Sequence, residues 1–232
     1  MLRTILARLK HGRRTMDFPS RIPRHEALPA RYRGRPAIDA ARGEGAVIDL
    51  GASLFNPEES AAGSGTVFSR DYAMAVRTRE GLCTSTGEVE LAHALERETR
   101  RIFGRSLRLR SVVAGSCGGC EAELVALSNV VFDLARFGVQ FVASPRHADG
   151  LVVTGAVSRN MAEALAKTYA AMPDPRLVLA VGSCALSGGP FAGSPEVLGR
   201  VPAEIPVDLY VPGCPPHPLT LLDALLRLLG RL

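Results

Sequence analysis

Five runs of consecutive apolar residues, at about 109–114, 139–143, 150–154, 177–182 and 207–211, organise the second half of the chain. Each has strand length and is apolar at successive positions, as in a strand buried on both faces. Between them the period changes. Leu124, Leu127, Val131 and Leu134 stand in helical register over about 121–137, and Met161, Leu165 and Tyr169 do so over 158–172. A last helix is predicted from Pro218, a residue suited to a first helical turn, to Leu229. Its leucines suit either a core or a partner's surface. Strands alternating with helices predict an α/β fold, with a parallel sheet and helices on both faces.

The first part of the chain reads differently. Leu2, Ile5, Leu6 and Leu9 recur at helical spacing with Arg3, Arg8 and Lys10 elsewhere on the wheel, which predicts a short amphipathic helix. Residues 17–50 carry Pro19, Pro23, Pro29 and Pro36 among many arginines, the composition of an extended strap laid over another surface. A helical pattern resumes at Glu88, with Leu91, Leu95 and Ile102 on one face. The expected organisation is an N-terminal extension over residues 1–85 and an α/β domain over residues 86–232.

With 47% hydrophobic and 22% charged residues in 232, the chain is globular in composition. Its net charge is +5, yet no run of Lys and Arg exceeds two and aromatic residues make up only 5%. That is a poor nucleic-acid surface. The basic N-terminus instead suits an anionic membrane surface or an acidic partner. No apolar stretch approaches the roughly 18 residues of a membrane span. Arg13-Arg14 lacks the apolar region of an export signal, so a cytoplasmic location is expected.

The chemistry lies in the cysteines. Cys117 and Cys120 follow the first apolar run and precede a helix, Cys184 follows the run ending in Gly182, and Cys214 follows the run ending in Gly213. In a parallel sheet the carboxyl ends of the strands share one edge, where such folds bind ligands. Three loops therefore bring four thiols to one place. A Cys-x-x-Cys pair with two single cysteines supplies the four ligands of a 4Fe-4S cluster. Glycines beside them let backbone approach inorganic sulfide. Other readings of the same residues are buried thiols, a four-cysteine zinc site, and a thiol–disulfide oxidoreductase built on strand, Cys-Gly-Gly-Cys, helix. The last would leave Cys184 and Cys214 without a role. Cys83 stands outside the set, as a small buried residue. Glu121 and His217 are the ionisable side chains nearest the four in sequence, and either could couple a proton to cluster reduction.

Gly115-Ser116-Cys117-Gly118-Gly119-Cys120-Glu121, Ser144-Pro145-Arg146-His147-Ala148-Asp149, Gly182-Ser183-Cys184 and Pro212-Gly213-Cys214-Pro215-Pro216 together resemble the small subunit of membrane-bound nickel–iron hydrogenases of the formate hydrogenlyase type. They are also similar to the complex I subunit that carries the last cluster. The resemblance spans about residues 105–232. It implies a flavodoxin-like domain with one 4Fe-4S cluster on Cys117, Cys120, Cys184 and Cys214, and no catalytic residue on this chain. The implied function is electron relay to or from an active site on a large hydrogenase-like subunit. Other iron–sulfur subunits, and membrane subunits met through the N-terminal region, are the implied further partners. The expected location is the cytoplasmic face of the inner membrane. Complex I relatives typically have adjacent cysteines at the first pair, so the hydrogenase branch is preferred over a quinone-reducing subunit without nickel.

Arg33-Gly34-Arg35-Pro36, Ile48-Asp49-Leu50-Gly51 and Phe68-Ser69-Arg70-Asp71-Tyr72 resemble a second, ferredoxin-like subunit of the same assemblies. Where that subunit has cluster cysteines, this chain has Ser53, Asn56, Glu59 and Gly63. The resemblance implies a ferredoxin-like region that has lost its clusters and serves as a docking strap.

Overall fold

The structure, a computed structural model, describes residues 106–232 without a break, together with residues 6, 9, 10, 12, 15–19, 28, 29, 32–38, 47–52, 66–85 and 88–96. Four short strands precede the main sheet: β1 (Pro36–Ile38), β2 (Ile48–Asp49), β3 (Thr66–Phe68) and β4 (Cys83–Thr84). They pair antiparallel as β1 with β3 and β2 with β4. Then come β5 (Leu107–Val113), α1 (Gly119–Ala126), β6 (Val139–Phe141), β7 (Gly150–Thr154), β8 (Val157–Ser158) and α2 (Arg159–Ala170). The chain ends with β9 (Leu177–Val181), α3 (Ser183–Ser187), β10 (Val197–Gly199), β11 (Leu209–Val211) and α4 (Pro218–Leu228).

The main sheet runs β11-β9-β7-β5-β6 with every neighbour parallel. Counted along the chain this is the 2-1-3-4-5 order of flavodoxin-like folds, whose direction of winding reverses between the first and third strands, here β5 and β7. The five predicted strands are these five. They read as continuous apolar runs because both faces are covered. Leu177, Leu179 and Val181 enter one core layer with α1 and α4, while Val178 and Ala180 enter the other with Leu165 of α2. The leucine-rich α4 is core: all its residues except Arg227 are buried.

Two predicted helices need correction. Over residues 121–137 the helix stops at Ala126, because the Asn129 side-chain oxygen accepts the Val131 and Phe132 N–H groups and Asp133 turns left-handed at φ 46°. Such local side-chain bonds compete with helix continuation. Only a single 3-10 turn, Leu134–Phe137, follows. Residues 88–96 are not helical at all. Their backbone bonds go to distant partners, Ala92 N–H to the Ala75 carbonyl and Leu95 N–H to the Leu228 carbonyl. The apolar spacing there marks contacts with the core and no helix face. Residues 97–105, with Ile102, lie outside the described residues.

The described residues before residue 86 lie on the same two layers. Phe18, Leu28, Tyr72 and Ala75 join the α4 side, and Leu50, Val76 and Leu82 the α2 side. Val76 and Tyr210 exchange both backbone hydrogen bonds, so this segment is registered on the β11 edge of the sheet. Leu6, Leu9 and Lys10 have helical backbone and are exposed, and the remaining positions of the predicted N-terminal helix lie outside the described residues. So do Ser53, Asn56, Glu59 and Gly63. Among the described residues no helix is long and apolar enough to cross a membrane.

Candidate metal centre

Register places the carboxyl ends of four strands in one row: Val211 pairs with Val181, Val181 with Thr154, and Thr154 with Val113. Cys117, Cys184 and Cys214 follow Val113, Val181 and Val211 within a few residues, and Cys120 is the second residue of α1. The strand pattern thus carries all four cysteines to one edge.

The thiols feel one another there. Burial first, and then Glu121 and the other three cysteines, push the Cys120 thiol up to about 12. Burial, then Cys214 and Cys117, push Cys184 up to about 11. Cys120 and Cys184 are buried, Cys214 is half-buried and Cys117 is exposed. As free thiols, the buried pair holds its protons. A positive core would favour their thiolate forms. Cys83 lies on β4 and is exposed, which corrects its reading as a small buried residue.

Whether these residues fit an iron–sulfur cluster can be judged from donors and space. Among the described residues no three His, Cys, Asp or Glu side chains converge as ligands of one metal ion do. In a cluster, however, each thiolate binds its own iron, so the sulfurs need not converge on a point. The donor set is all sulfur, which is soft and suits iron–sulfur chemistry. Glycine keeps room beside it. A methyl group added at Gly182, where φ is +85°, would stand 2.4 Å from Cys120 Sγ, and one at Gly189 3.0 Å from Cys184 Sγ. The residues fit the group.

Glu121 is held by two hydroxyls. Ser116 Oγ donates to its carboxylate at 2.7 Å, and Thr154 Oγ1, fully buried, donates to its other oxygen. Sequence reasoning missed Ser116 and Thr154, although a threonine closing the apolar strand Gly150–Thr154 is a visible signal. It gave no role to Ser183, named only within a motif, and missed Ser187; both lie with Cys184 on α3. The Ser-Cys pair recurs at Ser116-Cys117 and Ser183-Cys184 and could have drawn attention to the first of these. His217 lies on the α4 side of the same edge. Its Nδ1 accepts the Leu219 N–H, and its ring meets Tyr32 and Phe132 edge-on.

The sequence profile of the family described as NADH ubiquinone oxidoreductase, 20 Kd subunit, matches residues 117–228. The chain is 42% identical over 132 residues to the probable membrane-bound hydrogenase subunit mbhJ of Pyrococcus furiosus, a match over 57% of this chain and 79% of that protein. It is 46% identical over 114 residues to an NADH-quinone oxidoreductase subunit of Heliobacterium modesticaldum, covering 49% of this chain and 65% of that one. With formate hydrogenlyase subunit 7 of Escherichia coli it shares 42% identity over 128 residues, 55% of this chain and 50% of the other. Among solved structures, a chain of the membrane-bound sulfane sulfur reductase, an archaeal respiratory membrane complex, superposes with a TM-score of 0.51 at 32% identity, over 59% of this chain and 75% of that one. The chain spans about two thirds of the Heliobacterium modesticaldum protein and half of the Escherichia coli one.

Proposed function

We propose a function from the premise that this chain belongs to the family of the 20 Kd subunit of NADH ubiquinone oxidoreductase, a family of oxidoreductase subunits. It is the electron-transfer subunit of a membrane-associated assembly. It holds one 4Fe-4S cluster on Cys117, Cys120, Cys184 and Cys214 and relays electrons to or from an active site on a large partner subunit of hydrogenase type. The observation that carries this reading is the row of strand ends that delivers four thiols from three loops to one sheet edge.

The cluster, when bound, supplies reversible one-electron transfer. The residues of this chain do the rest. The four thiols bind iron, Gly182 and Gly189 leave room beside two of them, and Glu121, held by Ser116 and Thr154, keeps a carboxylate next to Cys120. Burial of Cys120 and Cys184 limits water at the site, one of the levers on cluster potential. No bond is made or broken on this chain.

The hydrogenase partner is supported by likeness to relatives named as a membrane-bound hydrogenase subunit and a formate hydrogenlyase subunit. A quinone-reducing assembly is the second reading, supported by the 46% identity to an NADH-quinone oxidoreductase subunit. Peripheral attachment to the cytoplasmic face of the inner membrane belongs to the same proposal, with exposed Leu6, Leu9 and Lys10 as its support. So do the other iron–sulfur partners, and the division into an extension over residues 1–85 and a cluster domain over residues 86–232. The test is to purify the intact assembly and measure iron, nickel and hydrogen-dependent dye reduction. Nickel with hydrogen oxidation selects the hydrogenase reading, and quinone reduction without nickel selects the second. A colourless, iron-free chain overturns both and leaves a dithiol enzyme.

A further inference from the structure

The five-residue helix that carries Cys184 has little to hold it in place by itself. α3 is shorter than an isolated helix can sustain, and its N-cap residue, Gly182, offers no capping side chain. Val201 and Gly213 bond to it from its own half of the chain, and a second set of bonds comes from the other half. Ser183 Oγ donates to the Ala52 carbonyl at 2.9 Å and reaches the Gly213 carbonyl at 3.3 Å. Ser187 Oγ donates to the Gly51 carbonyl at 2.7 Å, and the Arg79 guanidinium donates to the Leu186 carbonyl. Two hydroxyls and one carbonyl of a single short helix thus bond to residues 51, 52 and 79, although Ser187 Oγ also reaches the Ser183 carbonyl within the helix at 3.1 Å.

Those three residues are themselves anchored. Leu50 is fully buried and its N–H donates to the Leu82 carbonyl at 2.8 Å, while Gly51 N–H donates to Asp49 Oδ1 at 2.7 Å. Arg79 lies three residues past Val76, which is bonded to Tyr210 on β11, the strand that leads to Cys214. The brace is therefore referenced to the sheet. The family match begins at Cys117, so every bracing residue lies outside it.

We propose that the N-terminal extension, through Gly51, Ala52 and Arg79, positions the Cys184 helix and thereby the Cys184 side of the cluster site. This rests on the cluster assignment above. Ser183 and Ser187 are positioning residues: they act through the helix and touch no iron. A cluster's properties depend on hydrogen bonding and exposure around its sulfurs, so a helix freed to shift changes the environment of Cys184 Sγ without removing the ligand.

The test uses the full chain in its assembly, with Ser187→Ala, Ser187→Thr, Arg79→Met and, as control, Thr168→Ala, whose hydroxyl bonds within α2. Hydrogen exchange at the Gly188 amide, which donates to the Cys184 carbonyl at 2.9 Å, reads the helix directly. Its protection should fall about three- to tenfold in Ser187→Ala and Arg79→Met, as loss of one net hydrogen bond implies. Ser187→Thr and the control should match the parent. Iron content should stay at the parental value while the g-anisotropy of the reduced cluster's magnetic-resonance signal changes in the first two variants only. Unchanged exchange overturns the brace. Faster exchange with an unaltered signal overturns its bearing on the cluster. A parent protein without iron would instead sink the cluster assignment, and the exchange measurement would still report on the brace.

Discussion

His217 Nδ1 accepts the Leu219 backbone N–H at 3.1 Å, so the imidazole that follows the Cys214 loop caps α4. A nitrogen that accepts cannot carry a proton, and burial pushes the imidazole down from 6.5 to about 4. The contact gives His217 a structural task at the start of α4. The unfolded chain takes up its proton near 6.5 and the folded chain only near 4. The stabilisation from neutral His217 is therefore complete above about pH 6.5 and is lost as pH falls toward 4. It should amount to about 1–2 kcal/mol, given the partial exposure of the ring. Urea unfolding at several pH values should show that loss, and His217→Ala should weaken it. His217→Asn, whose side chain also caps, should cost less than His217→Ala at neutral pH, where a lost cap costs about 1 kcal/mol. The cluster potential should be the same in His217→Ala and the parent from pH 6 to 8. A difference that tracks imidazole titration would refute the capping role.

The four cysteines should behave as a set. Cys117→Ala, Cys120→Ala, Cys184→Ala and Cys214→Ala should each lose or degrade one and the same cluster, whereas exposed Cys83→Ala should not. The parent should contain about four irons per chain. Residues 1–100 offer Cys83 alone, and oxygen or amide groups are poor substitutes for soft thiolates, so that stretch should bind none. About eight irons, or a second magnetic-resonance signal surviving Cys117→Ala, would count against a single site.

Much of this was legible because burial leaves a plain mark on strands. Val152 and Val153 face opposite layers, yet both must be apolar, and this made β7 visible as a run. Once the parallel sheet is inferred, the gathering of Cys117, Cys184 and Cys214 follows from connectivity alone. Helix ends were less visible, since Asn129 and Asp133 act through side-chain bonds and a left-handed turn that apolar spacing does not report. Residues 88–96 misled for a related reason: Leu91 and Leu95 keep helical spacing in a segment bonded to Ala75 and Leu228. Ser187 was silent because its acceptor, Gly51, is 136 residues away.

Glu121 should set the cluster potential. A carboxylate beside Cys120 opposes the arrival of an electron, so Glu121→Gln should raise the midpoint potential. At the effective dielectric of a partly buried site the effect is on the order of 1–2 kcal/mol, or about 40–90 mV for one electron. Thr154→Val keeps the charge but leaves the carboxylate with the Ser116 hydroxyl as its remaining side-chain donor of the two, and should shift the potential less. Redox titration of both variants with their iron content decides the matter. An unchanged or lowered potential in a cluster-replete Glu121→Gln protein would rule out the electrostatic role.

Two glycines, both at positive φ, separate space at the site from backbone strain. Gly182 has φ +85° and Gly193 has φ +82°, and a positive φ costs a residue with a Cβ about 1 kcal/mol or more. At Gly193 an added methyl meets nothing within 4 Å, whereas at Gly182 it would stand 2.4 Å from Cys120 Sγ. Gly193→Ala should therefore lose only that strain energy, lowering stability by about 1–2 kcal/mol and leaving iron content and the magnetic-resonance signal unchanged. Gly182→Ala, at φ +85° and ψ 152°, carries at least that strain and also forces Cys120 Sγ aside, so its iron content should fall severalfold relative to Gly193→Ala at comparable residual stability. Iron analysis and denaturant unfolding on the two proteins side by side make the comparison. Equal iron in both would mean that Cys120 Sγ can move without loss of the cluster, and Cys120 would no longer stand as a ligand.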